Sequence, residues 1–386
     1  MRRAGRAILD YLKKADLLLL ALCAASTVYG MILIYSATLS TSEGPGHYIT
    51  IQLAAMVIGI FLFVFFSIID IETIADRWKW LLAFNILFIG ILFFFGTGEE
   101  SVGSRSWIRF GPIGGIQPAE VVKITFIILL AKQMHHLKEY KDLNSFFSIA
   151  QLAVHFGVMF LLVLVAAQDL GTALVYLFIF AVMLYTGGVK LRWFALGGAV
   201  LGCLVPVAWK FFLRPYQKQR ILAPYDASID PDHTGITWQP YRSKIAIASG
   251  QWTGLGYGEG TQTQSGSIPE QHTDFIFTAA GEELGFIGCL VVVALLTLII
   301  IRCIYVGIKA RNNLSALVCM GIAAILIFQS LENIGMCLGL TPVIGLTLPF
   351  FSYGGSSIIT LFAAMGLVCG VKMRTVSPWK RSLTGR

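Results

Sequence analysis

Three acids and three bases stand at the edges of otherwise apolar stretches: Glu120, Asp169 and Asp274, with Arg105, Arg109 and Lys123. Ionisable groups at such places are costly and usually face a cavity or a partner. Asp274 closes the run Ile268-Pro-Glu-Gln-His-Thr-Asp-Phe-Ile-Phe277 and directly precedes apolar sequence. A carboxylate partly withdrawn from water has a raised pKa and accepts a proton better than a surface Asp. The same placement suits an N-cap for the following helix, and residue type alone leaves both readings open. In Gln117-Pro-Ala-Glu-Val-Val-Lys123, Pro118 suits a helix start, and Glu120 and Lys123, three apart, share a face and can pair. The alternative is an interfacial pair with Lys123 snorkelling outward. Arg105 and Arg109, within Gly103-Ser-Arg-Ser-Trp-Ile-Arg-Phe-Gly111, offer planar donors suited to phosphate.

Further breaks in the apolar pattern carry polar groups. Asp169, in Gln168-Asp-Leu-Gly-Thr172, reads either as a site acid or as the cap of a two-helix turn. Leu348-Pro-Phe-Phe-Ser-Tyr-Gly-Gly-Ser-Ser357 includes Ser356, and its Pro349 and Gly354-Gly355 can break a helix and expose backbone polar groups. Small residues for close helix packing are the alternative there. Glu332 lies deep in an apolar run and needs a partner or a wet cavity.

The elements that must position these groups are membrane helices. The chain is 56% hydrophobic and only 13% charged, against roughly 25% charged in a soluble domain. Ten stretches are long and apolar enough to cross a bilayer: 16–36, 48–69, 79–96, 119–136, 147–167, 170–187, 192–212, 274–301, 314–338 and 350–371. The fold class expected is an all-α polytopic membrane protein forming one domain over 1–386. Ten spans with an inner N-terminus place 20 Lys and Arg on the cytoplasmic side and only Arg105 and Arg109 in the short outer loops. That asymmetry is the positive-inside pattern. It makes 1–15 and 372–386 cytoplasmic tails and puts Asp274, Asp169 and Glu120 on the outer side. The net charge of +8 then follows from topology and attraction to anionic lipid, and nucleic acid is not the expected partner. The first apolar run reads as an uncleaved helix.

Residues 213–273 form a 61-residue outer loop with seven glycines and five prolines. Its aromatic and apolar content is too high for a solvated linker, so short surface helices are expected, one over Tyr241–Ala248. The run Gly254-Leu-Gly-Tyr-Gly-Glu-Gly260 lacks the strand and βαβ context of a dinucleotide site and reads as a flexible turn. Six of the seven cysteines lie inside predicted spans and Cys303 lies just past the end of one, and none has metal-ligand spacing. From the residues alone, the chain is a membrane enzyme or transporter that handles an anionic substrate from the outer leaflet.

The whole chain resembles the SEDS family (shape, elongation, division and sporulation). The resemblance is carried by Gln117–Lys123, Gln168–Thr172, Pro269–Phe277, Gly281–Phe286, Asn333–Gly335 and Leu348–Ser356. Gly260-Thr-Gln-Thr-Gln264 is similar to the elongation branch rather than the division branch. It implies a peptidoglycan glycosyltransferase of the bacterial cytoplasmic membrane that polymerises lipid II. The growing glycan on undecaprenyl pyrophosphate is the donor, and the C4 hydroxyl of a lipid II GlcNAc is the acceptor. It assigns the family's essential acid to Asp274 and supporting roles to Glu120, Lys123 and Asp169, with His272 and Ser356 in the same motifs. An α-linked pyrophosphate leaves and a β-1,4 bond forms, so the reaction inverts and needs one base. Lys123, Arg105, Arg109 or a divalent cation (Mg or Mn) supplies the positive charge. The implied partners are a class B penicillin-binding protein and the elongation machinery. Arg242, Glu332 and the stretch Arg220–Asp226 depart from the family pattern. A lipid II flippase, a division-type polymerase and a non-catalytic scaffold are the competing functions.

Overall fold

The computed structural model describes residues 10–98, 104–109, 115–211 and 213–375. Arg2, Arg3, Arg6, Lys380, Arg381 and Arg386, counted above with the cytoplasmic tails, lie outside the described residues, as do parts of the loop around Gly103 and Gly111. The described chain is predominantly helical. Its helices are α1 Leu17–Ala37, α2 Gly44–Ile68, α3 Ile71–Asp76, α4 Trp78–Gly90, α5 Leu92–Phe95, α6 Pro118–Tyr140, α7 Phe146–Leu162, α8 Leu170–Gly187 and α9 Leu191–Phe211, followed by α10 Pro215–Leu222, α11 Trp238–Ser249, α12 Thr261–Gln264, α13 Ile276–Glu283, α14 Gly285–Ile308, α15 Asn313–Cys337 and α16 Gly355–Arg374. One small hairpin pairs β1 Ile108–Arg109 with β2 Gly115–Ile116.

Among the described residues, nine helical segments are long and apolar enough to cross a membrane. The tenth predicted span is α6, whose 23 residues are roughly 34 Å long. It carries Glu120, Lys123 and Lys132 and so is less apolar, yet most of it is buried against its neighbours. Charge is tolerated there because protein, and not lipid, surrounds it. At the other extreme, α9 has no buried residue.

Close backbone approach holds the centre together. A Cβ added at Gly366 of α16 would lie 2.5 Å from the Phe63 carbonyl oxygen of α2, and one at Gly370 would lie 2.9 Å from that of Ser67. These glycines are one helical turn apart, the small-residue spacing that lets apolar helices interlock without a hydrophobic driving force. At the end of the bundle away from Asp274, buried Asp16 accepts from Arg302 Nε at 2.8 Å and pairs with Lys372 Nζ at 3.3 Å, tying α1, α14 and α16.

Two span boundaries differ from the sequence reading. The expected span 274–301 is broken at Gly285 (φ +67°), where α13 ends and α14 begins and runs on to Ile308. A Cβ at Gly285 would meet the Gly254 backbone nitrogen at 2.4 Å, so the break exists to let the outer loop dock there. The last span starts at Gly355 instead of 350, because Phe350 (φ +68°) and a turn closed by Leu348 N donating to Ser352 Oγ occupy the preceding residues.

The glycine-rich run is docked, not flexible. Leu255 N and Gly256 N donate to the Glu282 and Glu283 carbonyls, and a Cβ at Gly254 (φ +84°) would fall 2.0 Å from the latter. The expected helix over 241–248 is α11, and it packs inward: Ser243 Oγ bonds Thr278 Oγ1 of α13 at 2.5 Å and donates to the Cys337 carbonyl at the end of α15 at 2.7 Å.

Candidate active site

Asp274 sits in a turn wound around a single carbonyl. Glu270 takes the left-handed conformation (φ +44°), and its oxygen accepts from Thr273 N, Asp274 N and Phe275 N. The cap of α13 is Phe275, so the N-cap reading of Asp274 is corrected: its carboxylate caps nothing. Among the described residues no hydrogen bond reaches that carboxylate, which leaves its lone pairs available to a substrate proton. Burial pushes its pKa up to about 7, helped by Glu270 and Asp169 and opposed by Arg220.

Two features hold Asp274 in place. Asn333 of α15 donates from Nδ2 to the Asp274 carbonyl and to the Leu346 carbonyl, both at 2.7 Å. Gly345 (φ +72°) lies so close that a Cβ there would be 3.4 Å from Asp274 Oδ2. On the other side of the same strand of chain, a Cβ at Gly171 would meet the Ile344 carbonyl oxygen at 2.6 Å and Asp169 Oδ1 at 3.4 Å. The segment 344–345 therefore separates Asp274 from Asp169 by little more than one backbone.

Asp169 caps α8, accepting from Thr172 N at 2.9 Å and Thr172 Oγ1 at 2.8 Å. It also accepts from Gln117 Nε2 at 3.2 Å, so it is both the capped turn and a joint to α6. Burial raises its pKa, against the lowering effect of the Thr172 donors. Gln117 N in turn donates to Ser356 Oγ at 3.3 Å, fastening the start of α16. One helical turn on, Lys123 Nζ meets Glu120 Oε1 at 2.6 Å with both side chains buried. Lys123 does not snorkel outward, and its charge is already committed to a carboxylate.

His272 lines the same end of the molecule. Its ring packs edge-on against Tyr48 (centroids 4.8 Å) and near Tyr353 (5.6 Å), and its carbonyl accepts from Tyr353 N at 2.9 Å. Burial lowers its pKa, which favours the neutral imidazole. Arg105 is anchored beside the Asp169 turn by its backbone N–H to the Ala167 carbonyl at 2.9 Å. Arg109 is exposed on β1, and no contact among the described residues brings it to the carboxylates. Glu332 is buried, and among the described residues neither carboxylate oxygen meets a donor at hydrogen-bond geometry, although the Thr341 hydroxyl, bonded to the Glu332 carbonyl, lies near.

Four contributors escape a reading of charges alone. Asn333 has been described. Gln52 of α2, fully buried, donates to the Ser352 carbonyl and accepts from Gly354 N, clasping the backbone next to Tyr353. Glu282 accepts from Gln262 N, Thr263 N, Thr263 Oγ1 and Thr261 Oγ1, and Gln271 Nε2 donates to that same Thr263 hydroxyl at 2.8 Å. Arg220 of α10 is the cation whose field reaches Asp274. A polar residue in an apolar helix is the signal that marks Asn333 and Gln52 in the sequence. Among the described residues no three His, Cys, Asp or Glu side chains are grouped to hold a metal ion.

A bundle of long apolar helices that gathers a partly buried carboxylate with further acids and bases at one end defines a polytopic membrane protein. The chain belongs to the FtsW/RodA/SpoVE family of cell cycle proteins, which it matches over residues 16–376. It is 34% identical over 275 residues to peptidoglycan glycosyltransferase MrdB of Escherichia coli K12, covering 71% of this chain and 72% of that protein. It is 31% identical over 372 residues to the probable peptidoglycan glycosyltransferase FtsW of Geobacter sulfurreducens, covering 94% and 96%. Among solved structures it is similar to the rod shape determining protein RodA of Thermus thermophilus (TM-score 0.68, 25% identity, 94% and 98% covered). A chain from work on the structural coordination of polymerization and crosslinking by a peptidoglycan synthase complex superposes better, with TM-score 0.77, 28% identity, and 93% and 97% covered.

Proposed function

We infer that this chain is a peptidoglycan glycosyltransferase that polymerises lipid II into β-1,4 glycan strands during cell elongation. The observation that carries the reading is the Asp274 carboxylate, which is partly buried, free of hydrogen bonds among the described residues, held by Asn333 and raised to about 7. Asp274 takes the proton of the acceptor hydroxyl as that oxygen attacks the anomeric carbon of the donor. The bond from that carbon to the pyrophosphate breaks, and its electron pair leaves with the phosphate. One base is sufficient for such an inversion. Asp169, Gln117 and Ser356 position the surrounding backbone, and His272 forms a wall of the site.

The basic residues of the short loops favour both termini in the cytoplasm and Asp274 outside, where lipid-linked substrate awaits polymerisation. The likeness to a chain of a peptidoglycan synthase complex supports a transpeptidase partner of the class B penicillin-binding type. Purified full-length protein, with and without that partner, is expected to form glycan chains from lipid II. Asp274→Asn is expected to fold and insert normally yet polymerise nothing. Polymerisation retained by that variant would remove Asp274 from the mechanism.

A further inference from the structure

The two ends of α9 are held very differently. Its start is tied to the bundle through Asn144, just ahead of α7. Asn144 Oδ1 accepts from Lys190 N at 2.8 Å, and the Asn144 carbonyl accepts from Trp193 Nε1 at 3.1 Å and Arg192 Nη2 at 3.3 Å. Beyond that point neither α9 nor α10 buries a residue. Among the described residues no hydrogen bond or ion pair ties 195–219 to any other helix; the bonds there stay within the segment, as from Leu213 N to the Ala208 carbonyl and from Arg214 N to Gln217 Oε1.

Charge is just as one-sided. No Asp or Glu occurs between Asp169 and Asp226, while Lys210, Arg214 and Lys218 follow at every fourth position where α9 gives way to α10. None of the three meets a carboxylate among the described residues. The 21 residues of α9 are roughly 32 Å long, against about 30 Å of hydrocarbon. With Arg192 at one edge of the bilayer, Lys210 therefore stands at the level of the opposite headgroups. Trp209, Phe211 and Tyr216 alternate with the cations. Phe211 is 70% exposed, and the Lys210 ammonium lies 5.4 Å from its ring centroid. Aromatic rings mixed with cations are the composition of a membrane–water boundary, whereas a run of lysines in open water has no use for the rings.

We propose that the corner formed by Lys210, Arg214 and Lys218 is a binding surface for acidic phospholipid, whose phosphates supply the tether that this end of α9 lacks in protein. Ammonium groups meet phosphate as point charges and the guanidinium as a bidentate fork. Cations spread along a boundary without an enclosing wall suit several headgroups of an abundant lipid better than one captured molecule. The contact fixes where the outer loop 213–273 leaves the membrane, and it is independent of the reaction proposed above.

The test uses the full chain in phosphatidylcholine nanodiscs containing a minor fraction of phosphatidylglycerol with a photoreactive headgroup. Crosslinks are expected on 209–222, and also around Lys190 and Arg192 at the other end of α9. Each cation near an acidic surface contributes about 5-fold. Changing Lys210, Arg214 and Lys218 together to Gln should therefore weaken labelling of 209–222 roughly 100-fold in a lipid titration and leave the labelling near Lys190 unchanged. Lys210→Arg, Arg214→Lys and Lys218→Arg together should retain it. Amide exchange over 213–222 should be slower in phosphatidylglycerol than in phosphatidylcholine for the parent, and equal in the two lipids for the Gln variant. An unchanged thermal midpoint in phosphatidylcholine shows that the Gln variant is folded. Labelling of 209–222 that survives the three Gln changes would overturn the site, as would equal labelling by a photoreactive phosphatidylcholine, because the segment would then merely rest on the bilayer. Displacement of the label by undecaprenyl pyrophosphate at concentrations below that of phosphatidylglycerol would overturn it too, by making the corner part of a substrate path. Protection of 213–222 by a transpeptidase partner, with none from phosphatidylglycerol, would assign the cations to a protein surface instead.

Discussion

Replacing Asn333 with Ala separates positioning from chemistry, because Asn333 touches the catalytic loop only through its backbone. The side chain makes two hydrogen bonds of 2.7 Å, to the Asp274 and Leu346 carbonyls. Among the described residues the Leu346 carbonyl has no other hydrogen-bond donor, and a buried carbonyl left unpaired costs about 1–3 kcal/mol. The Asp274 carbonyl retains the Cys337 thiol at 3.8 Å, a weak donor, so its share is smaller. Together the loss amounts to about 2–4 kcal/mol of stability, visible as a lower thermal midpoint in detergent or nanodiscs. The kinetic effect is expected to be larger. A shift of about 1 Å in a catalytic group costs on the order of 100-fold in rate, and the carboxylate has no side-chain hydrogen bond among the described residues to keep it in place once its backbone is released. The assay is glycan polymerisation from lipid II at a temperature where both proteins are folded, with bound lipid II measured alongside. The reasoning predicts a kcat loss of roughly 100-fold with substrate binding nearly unchanged. A variant that is destabilised as expected yet polymerises within a few-fold of the parent would refute it, since Asp274 would then hold its position without Asn333.

Three other expectations follow from the same geometry. The base must be ionised to act and its pKa is raised to about 7, so kcat/KM should fall about tenfold per pH unit below that point. Glu270 raises that value and Arg220 lowers it, so Glu270→Gln should move the acid limb to lower pH and Arg220→Ala to higher pH, read from pH–rate profiles. Gly345→Ala puts a side chain on a backbone at φ +72° and 3.4 Å from Asp274 Oδ2; it should cost about 1–2 kcal/mol in stability and lower turnover, checked by unfolding and polymerisation assays. Lys123→Ala leaves the Glu120 carboxylate buried and unpaired, which should cost about 3–5 kcal/mol, while Lys123→Met combined with Glu120→Leu should recover most of the folded protein, as followed by thermal unfolding.

The site acids were legible in the sequence because a charge inside apolar sequence has few structural reasons to be there. Asp274, Asp169 and Glu120 all stood out in this way, as did the basic Lys123, and the structure gathers them at one end of the bundle. The break at Gly285 was not legible, since residues 274–301 read as one span and the reason for the break lies in a loop some 30 residues earlier that needs close backbone approach. Arg220 was hidden for a related reason. It stands in a polar loop where cations are ordinary, and only the fold brings its charge to bear on Asp274 while Lys123 is paired with Glu120. Whether Asp274 capped a helix or stood free depended on a one-residue difference in the helix start, which pattern reading does not resolve.

The hydrogen bonds of the outer loop explain how the proposed catalytic carboxylate, outside the long spans, keeps its geometry. Glu282 and Glu283 are fully buried in α13, and an unpaired carboxylate there would be very costly. Glu282 is satisfied wholly by α12, at Thr261, Gln262 and Thr263, whereas Glu283 takes its hydrogen bonds from Ser36 of α1 and Gln264 of α12. The loop therefore cannot lift away without stranding two charges, and α1 cannot move without disturbing one of them. From Thr263 the path continues through Gln271 to His272, whose carbonyl is tied to Tyr353. From the other direction Gln52 of α2 fixes Ser352 and Gly354 on either side of Tyr353. The two paths meet at His272, two residues before Asp274, so the base is referenced to α1, α2 and α15 at once. A segment with the composition of a surface loop is thereby as fixed as the helices that carry it, which is what a site preorganised for proton abstraction requires.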